Sequence, residues 1–232
     1  MTQSIKKNAL IFGYNEYSKE IAQSISTQYE NIIFFVQKLE IQTKAAQDGY
    51  KVEIFELDDD WSQIDKKFNI NECNIFCTLD DDSQNVFLTI SLRSAYEDAN
   101  IISLARSSES VSKLNLAGAS KVMPILDTAT NVITNLLEHP ISSEILNNIL
   151  YSESNLQLIE VKIKKDSHFI GTNINAVDWS KKYGVIVIAF YTKKHKVSFI
   201  YNSKVQHHKI ESDDIFIVVG YKEDLLNFKN SV

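Results

Sequence analysis

The sequence predicts an α/β fold: a doubly wound parallel sheet, then a pair of helices, then a small α+β domain. Three observations predict it. From Asn8 to Ile125 short apolar runs alternate with amphipathic stretches, residues 127 to 150 read as two helices parted by His139 and Pro140, and beyond Asn155 strands follow one another in a different texture. A chain of 232 residues, 44% hydrophobic and 23% charged, can bury one large core or two small ones.

The first strand and helix lie in NALIFGYNEYSKEIAQSI, Asn8 to Ile25. Ala9 to Phe12 is a continuous apolar run of the kind buried on both faces of a parallel sheet, and Gly13 supplies the tight turn after it. The helix is expected to face inward through Tyr17, Ile21, Ala22 and Ile25. Asn31 to Val36 is the second strand and Leu39 to Gln47 the second helix. Tyr50 to Leu57 alternates apolar and polar residues, which marks an edge strand with one wet face. Trp61 to Phe68 is a short helix, Cys73 to Leu79 the fourth strand, and Ser83 to Asp98 a long helix whose buried face is expected to be Val86, Phe87, Ile90 and Ala95. Ile101 to Ala105 is the fifth strand, Ser108 to Ala117 a helix stopped at Gly118, and Lys121 to Ile125 the sixth strand. Strict alternation with short connections implies right-handed crossovers and ligands outside the carboxyl ends of the strands.

Two helices follow, Asp127 to Glu138 and Ser142 to Leu150, because Pro140 cannot continue the first. Their apolar stripes are wide: Ala129, Val132, Ile133, Leu136 and Leu137 on one, Ile145, Leu146, Ile149 and Leu150 on the other. Such stripes suit a subunit interface. LQLIEVKI, VIVIAFY, VSFIY and DIFIVV are then strands, with a short helix from Asn173 to Tyr183 and another from Glu223 to Phe228. The expected divisions are residues 1–126, 127–152 and 153–232.

Composition excludes several classes. A net charge of −6 without a basic stripe argues against nucleic acid. No apolar run approaches the roughly 18 residues of a membrane-spanning helix, and nothing before the first strand reads as a secretory signal, so a soluble, cytoplasmic chain is expected. Cys73 and Cys77 have no second pair to complete a zinc site and read as packing residues. His139, His168 and His195 are scattered, and the adjacent His207 and His208 read as surface residues. No nucleophile elbow, H-E-x-x-H or P-loop occurs.

Read together, these segments resemble the RCK family, whose TrkA-type N-terminal and C-terminal domains regulate prokaryotic potassium channels and transporters. FGYNEYSKEIA is similar to the family's glycine turn, TLDDDSQN to its Thr-x-Asp-Asp-x-x-x-Asn segment, and LAR at Leu104 to Arg106 to the end of its fifth strand. LNLAGASKVMPI, HFIGTNINAVDWSKKYGVIVIAF and ESDDIFIVVGYKEDL carry the resemblance through both halves.

The resemblance implies a Rossmann-like N-terminal domain, a crossover helix pair at a dimer interface, and a C-terminal TrkA-C domain. It places a ligand against the turn at Gly13, Tyr14, Asn15, Glu16 and Tyr17, the second and third strand ends at Gln37, Lys38, Glu56 and Leu57, and the fourth and fifth at Thr78, Leu79, Asp80 and Arg106. The ligand implied is an adenine nucleotide, AMP, ADP, ATP or NAD(H), with or without a divalent cation. The partners implied are a second copy or more and a membrane-embedded potassium channel pore or transporter subunit, at the inner face of the membrane.

The chain departs from the family at the ligand. The second and third turn glycines are Asn15 and Ser18, and the acid that usually ends the second strand is Gln37, which binds a ribose without a carboxylate's charge. Asn15 can cap the helix or bond a phosphate. Asp58–Asp60 and Asp80–Asp82 can attract a hard cation or cap helices, the last Asp of each run serving as the cap. Arg106 can hold a phosphate or pair with one of those aspartates. Two functions fit this pattern, a regulatory module that senses a small ligand and a nicotinamide-dependent oxidoreductase. The second also needs a positioned acid or base and a substrate domain.

Overall fold

The structure is a computed structural model that describes residues 8–57, 61–151, 155–192, 196–200 and 208–232. Asp58–Asp60, His195 and His207 lie outside the described residues. The chain divides into two compact units, Thr2–Thr134 and Asn135–Val232.

The first unit carries six parallel strands: β1 (Asn8–Phe12), β2 (Asn31–Val36), β3 (Lys51–Ile54), β4 (Cys73–Cys77), β5 (Asn100–Ala105) and β6 (Lys121–Pro124). Their order across the sheet is β3-β2-β1-β4-β5-β6, so the winding reverses between β1 and β4. Phe12 stands opposite Phe35 on one side and Cys77 on the other. Because β1 is central, its residues feed two cores. Leu10 and Phe12 pack with Phe35, Ile75 and Leu88 on one face, while Ala9 and Ile11 pack with Ala22 and Phe34 on the other. This burial on both faces is why the run is apolar without alternation. β3 occupies the sheet edge that its alternating sequence predicts.

The helices of this unit are α1 (Glu16–Ile25), α2 (Leu39–Gln47), α3 (Ser62–Lys67), α4 (Asp82–Ala95) and α5 (Ser108–Leu116). One of them buries a different face from the one expected. In α1 Ala22 is buried and Ile21 and Ile25 pack against the same core as expected, while Tyr17 is exposed and Ser18 is buried. In α4 the buried face is Asn85, Leu88, Thr89 and Leu92, while Phe87 and Ile90 are 49% and 51% exposed and Ala95 is also exposed. Polar side chains with a partner in the sheet cause this. Thr89 meets the Ser103 hydroxyl at 2.9 Å, and Asn85 bonds the chain at the end of β4.

Cys73 and Cys77 are buried in the sheet, and burial pushes the Cys77 thiol up to about 11.

Helices α6 (Ile125–Glu138) and α7 (Pro140–Tyr151) follow. On α6 Val132, Ile133, Leu136 and Leu137 are exposed, and on α7 Ile141, Ile145 and Leu146 are. No described helix is long and apolar enough to cross a membrane.

The second unit contains β7 (Leu156–Lys162), α8 (Trp179–Tyr183), β8 (Val185–Thr192), β9 (Lys196–Phe199), β10 (Ile215–Tyr221) and α9 (Lys222–Ser231). Its strands form an antiparallel sheet, β7-β10-β8-β9, over a core that includes Trp179, Phe190, Phe216 and Phe228. The single helix expected from Asn173 to Tyr183 is two pieces, a 3-10 turn at Ile174–Ala176 and then α8. Asn173 caps the first and Asp178 starts a new cap by accepting from Lys181 N at 3.1 Å. His208 is not a surface residue. Its ring stacks on Phe190 and its Nε2 lies 2.8 Å from the carboxylate of buried Asp214, the residue just before β10.

Candidate functional site

The carboxyl ends of β1, β4 and β5 meet at the reversal of the sheet, and Gly13 is where β1 leaves it. The Gly13 amide donates to Phe35 O at 2.8 Å, and Thr78 holds Phe12 O through both its amide, at 2.9 Å, and its hydroxyl, at 2.8 Å. Gly13 has φ +106°, and a Cβ there would lie 2.9 Å from Thr78 O and 3.0 Å from Leu79 N. Backbone packing between β1 and β4 by itself therefore requires the glycine.

Asn15 caps α1. Its Oδ1 accepts from Ser18 N at 3.0 Å while Ser18 Oγ accepts from Asn15 N at 2.8 Å, a reciprocal capping box. The family's third turn glycine is thus replaced by a buried serine with a defined job. The box leaves Glu16 and Tyr17 as the first-turn amides without an intrahelical partner. Asn15 Nδ2 in turn donates across the reversal to Thr78 O at 2.7 Å and to Asp80 Oδ1 at 2.9 Å.

Arg106 approaches from the end of β5. Its guanidinium donates to Leu79 O at 2.6 Å and to Asp80 Oδ1 at 3.1 Å, and it lies 5.7 Å from the centre of the Tyr17 ring. Its main-chain amide, with that of Ser107, donates to the Asp82 carboxylate at 3.0 to 3.2 Å. Of the two readings of Arg106, the geometry displays the ion pair with aspartate.

The acidic run Asp80–Asp82 has three separate roles. Asp80 joins Asn15 and Arg106, Asp81 caps α4 by accepting from Gln84 N, and Asp82 clamps the Arg106–Ser107 turn. The cap is therefore the middle aspartate and not the last, because the last is claimed by the β5 loop. Among the described residues no cluster of three His, Cys, Asp or Glu is placed to hold a metal ion.

The other predicted residues are distributed along the same sheet edge. Gln37 and Lys38 follow β2, Glu56 and Leu57 follow β3, and Thr78 and Leu79 are buried at the end of β4. Tyr14 is the exception. Its ring packs edge-on against Phe34 and Tyr50, its hydroxyl donates to Asp48 at the end of α2, and burial together with that carboxylate raises its ionisation well above the ordinary tyrosine range.

Asn85 is the residue that sequence reasoning passed over. Its amide is fully buried and pairs with Leu79 in both directions, accepting from Leu79 N at 2.9 Å and donating to Leu79 O at 3.0 Å. That bracket fixes the strand end carrying Thr78 and Asp80. Its signal was the final Asn of TLDDDSQN.

The profile of the TrkA-N domain matches residues 9–124, half of the chain, and that of the TrkA-C domain matches residues 158–232. Among solved structures, the human SLO3 gating ring superposes with a TM-score of 0.69 at 10% identity, covering 95% of this chain and 46% of that one. The GsuK channel superposes with a TM-score of 0.50 at 18% identity, covering 97% of this chain and 38% of that one. The chain thus spans less than half the length of either. No curated protein matches the sequence. The likeness to the solved structures extends to the fold, while the two profiles assign the lineage: the chain belongs to the RCK family, built from a TrkA-N and a TrkA-C domain.

Proposed function

We propose that this protein is a cytoplasmic ligand-sensing regulatory module that gates a potassium channel or potassium transporter at the inner face of the membrane. It makes and breaks no bond. The observation that carries the reading is the convergence of Asn15, Asp80 and Arg106 at the reversal between β1 and β4, where open α/β sheets bind ligands.

The ligand is an adenine nucleotide with a terminal phosphate, AMP or ADP in preference to NAD(H). Arg106 meets the phosphate, and Gln37 and Glu56 stand at strand ends suited to a ribose and an adenine amino group. A divalent cation enters with the nucleotide's phosphates, since Asp80, Asp81 and Asp82 already serve protein donors.

The exposed stripes of α6 and α7 support assembly through a second copy, and the assembly transmits ligand binding to the membrane partner. Hydrogen exchange across residues 125–151, with and without ADP, tests the reading. ADP is expected to change protection there, and a pattern unmoved at saturating ADP would refute sensing. Hydride transfer with any substrate would replace this reading with an oxidoreductase.

A further inference from the structure

We propose that Asp80 is an internal anion that governs entry to this site: a ligand phosphate binds by displacing the Asp80 carboxylate from Asn15 and Arg106. The inference rests on the ligand site proposed above. One oxygen, Asp80 Oδ1, accepts from both Asn15 Nδ2 and Arg106 Nη2, at 2.9 Å and 3.1 Å. The carboxylate therefore takes the two side-chain donors that an incoming anion would need.

The pair is built to exchange. The Asp80 side chain is 82% exposed, and exposed ion pairs are held weakly. Arg106, by contrast, stays in place without it. Its Nη1 bond to Leu79 O, its contact with the Tyr17 ring and the clamp of Asp82 on its main-chain amide all persist when Asp80 leaves. Asn15 is likewise oriented by its bonds to Thr78 O and Ser18 N. Removing Asp80 thus exposes two prepositioned donors. A phosphate carries more charge than a carboxylate and has a further acceptor oxygen, so it competes well for the vacated place.

Asp80 also selects among ligands. An uncharged nucleoside does not compete with the carboxylate, whereas a phosphate must, so the cost of displacement falls on phosphorylated ligands alone.

The test is calorimetric titration of the whole chain with AMP and with adenosine, in the parent, Asp80→Asn and Asp80→Ala, with melting temperatures to verify folding. Both variants are expected to bind AMP more tightly by about two- to fivefold, the size an exposed ion pair allows. Adenosine affinity is expected to stay unchanged, which a merely structural role for Asp80 would not give. Parent and variants binding AMP equally, or variants binding it more weakly, would overturn the displacement while leaving the site in place. AMP binding by neither the parent nor the variants would remove the site itself, and the inference with it.

Discussion

Asn85 treats Leu79 as a strand neighbour would, giving and taking one hydrogen bond with its backbone although it stands on a helix. The strand end that carries Thr78 and Asp80 is thereby fixed from behind, and α4 is fixed to the sheet by this polar contact as well as by the buried Leu88 and Leu92. Asn85→Ala leaves Leu79 N unpaired in a buried place, while Leu79 O keeps its bond from Arg106, and is expected to cost about 1–3 kcal/mol. Asn85→Asp keeps the acceptor and loses the donor, so it is expected to remain destabilised. Urea denaturation of both variants checks this, and an unchanged midpoint for Asn85→Ala would remove the bracket from the account.

At Gly13 the expected effect is steric. Alanine there would place Cβ 2.9 Å from Thr78 O on a backbone with φ +106°. A loss of about 2–3 kcal/mol follows from strain alone. Thermal melting of Gly13→Ala in the absence of ligand is the measurement, because a glycine needed only for ligand approach would leave the free protein's stability untouched.

Burial of Cys77 makes stability depend on alkaline pH. Its thiol is pushed from 9.0 up to about 11, so between these values the unfolded chain loses its proton and the folded chain keeps it. The unfolded state is then favoured as pH rises, and the loss approaches about 2–3 kcal/mol above pH 11. The decline between pH 9 and 11 is expected to flatten in Cys77→Ala relative to the parent. At pH 8 neither Cys73 nor Cys77 should react with a thiol reagent until denaturant is added.

Which parts of this molecule were legible in its sequence follows from where each interaction partner lies. Buried strands announced themselves, since Ala9 to Phe12 and Asn31 to Val36 need apolar side chains on both faces, and the wet edge of β3 showed in its alternation. Helix faces were harder to read. Hydrophobicity alone selects Phe87 and Ile90 on α4, whereas the sheet takes Asn85 and Thr89, whose partners Leu79 and Ser103 belong to other segments. His208 looked like a surface residue for the same reason, until Asp214 and Phe190 enclosed it. At the site, the alternation indicated which strand ends converge. The Asn15 to Asp80 bond spans 65 residues of sequence and leaves no local pattern.

The exposed apolar stripe of α6 predicts self-association. Leu136→Glu is expected to shift the mass of the purified chain from dimer to monomer at micromolar concentration, as read by light scattering. A parent chain that is already monomeric there would exclude α6 as a dimer face.

The central claim is a site that takes a phosphate-ended adenine nucleotide at the reversal between β1 and β4. Melting temperature as a function of AMP, ADP, ATP and NADH, each with and without magnesium, tests it most directly. At 100 times its dissociation constant a ligand adds about 2.7 kcal/mol to the folded state, a rise easily resolved. The account predicts that AMP or ADP raises the melting temperature at lower concentration than NADH, and that Arg106→Gln abolishes the difference. NADH as the tightest ligand, indifferent to Arg106→Gln, would contradict it.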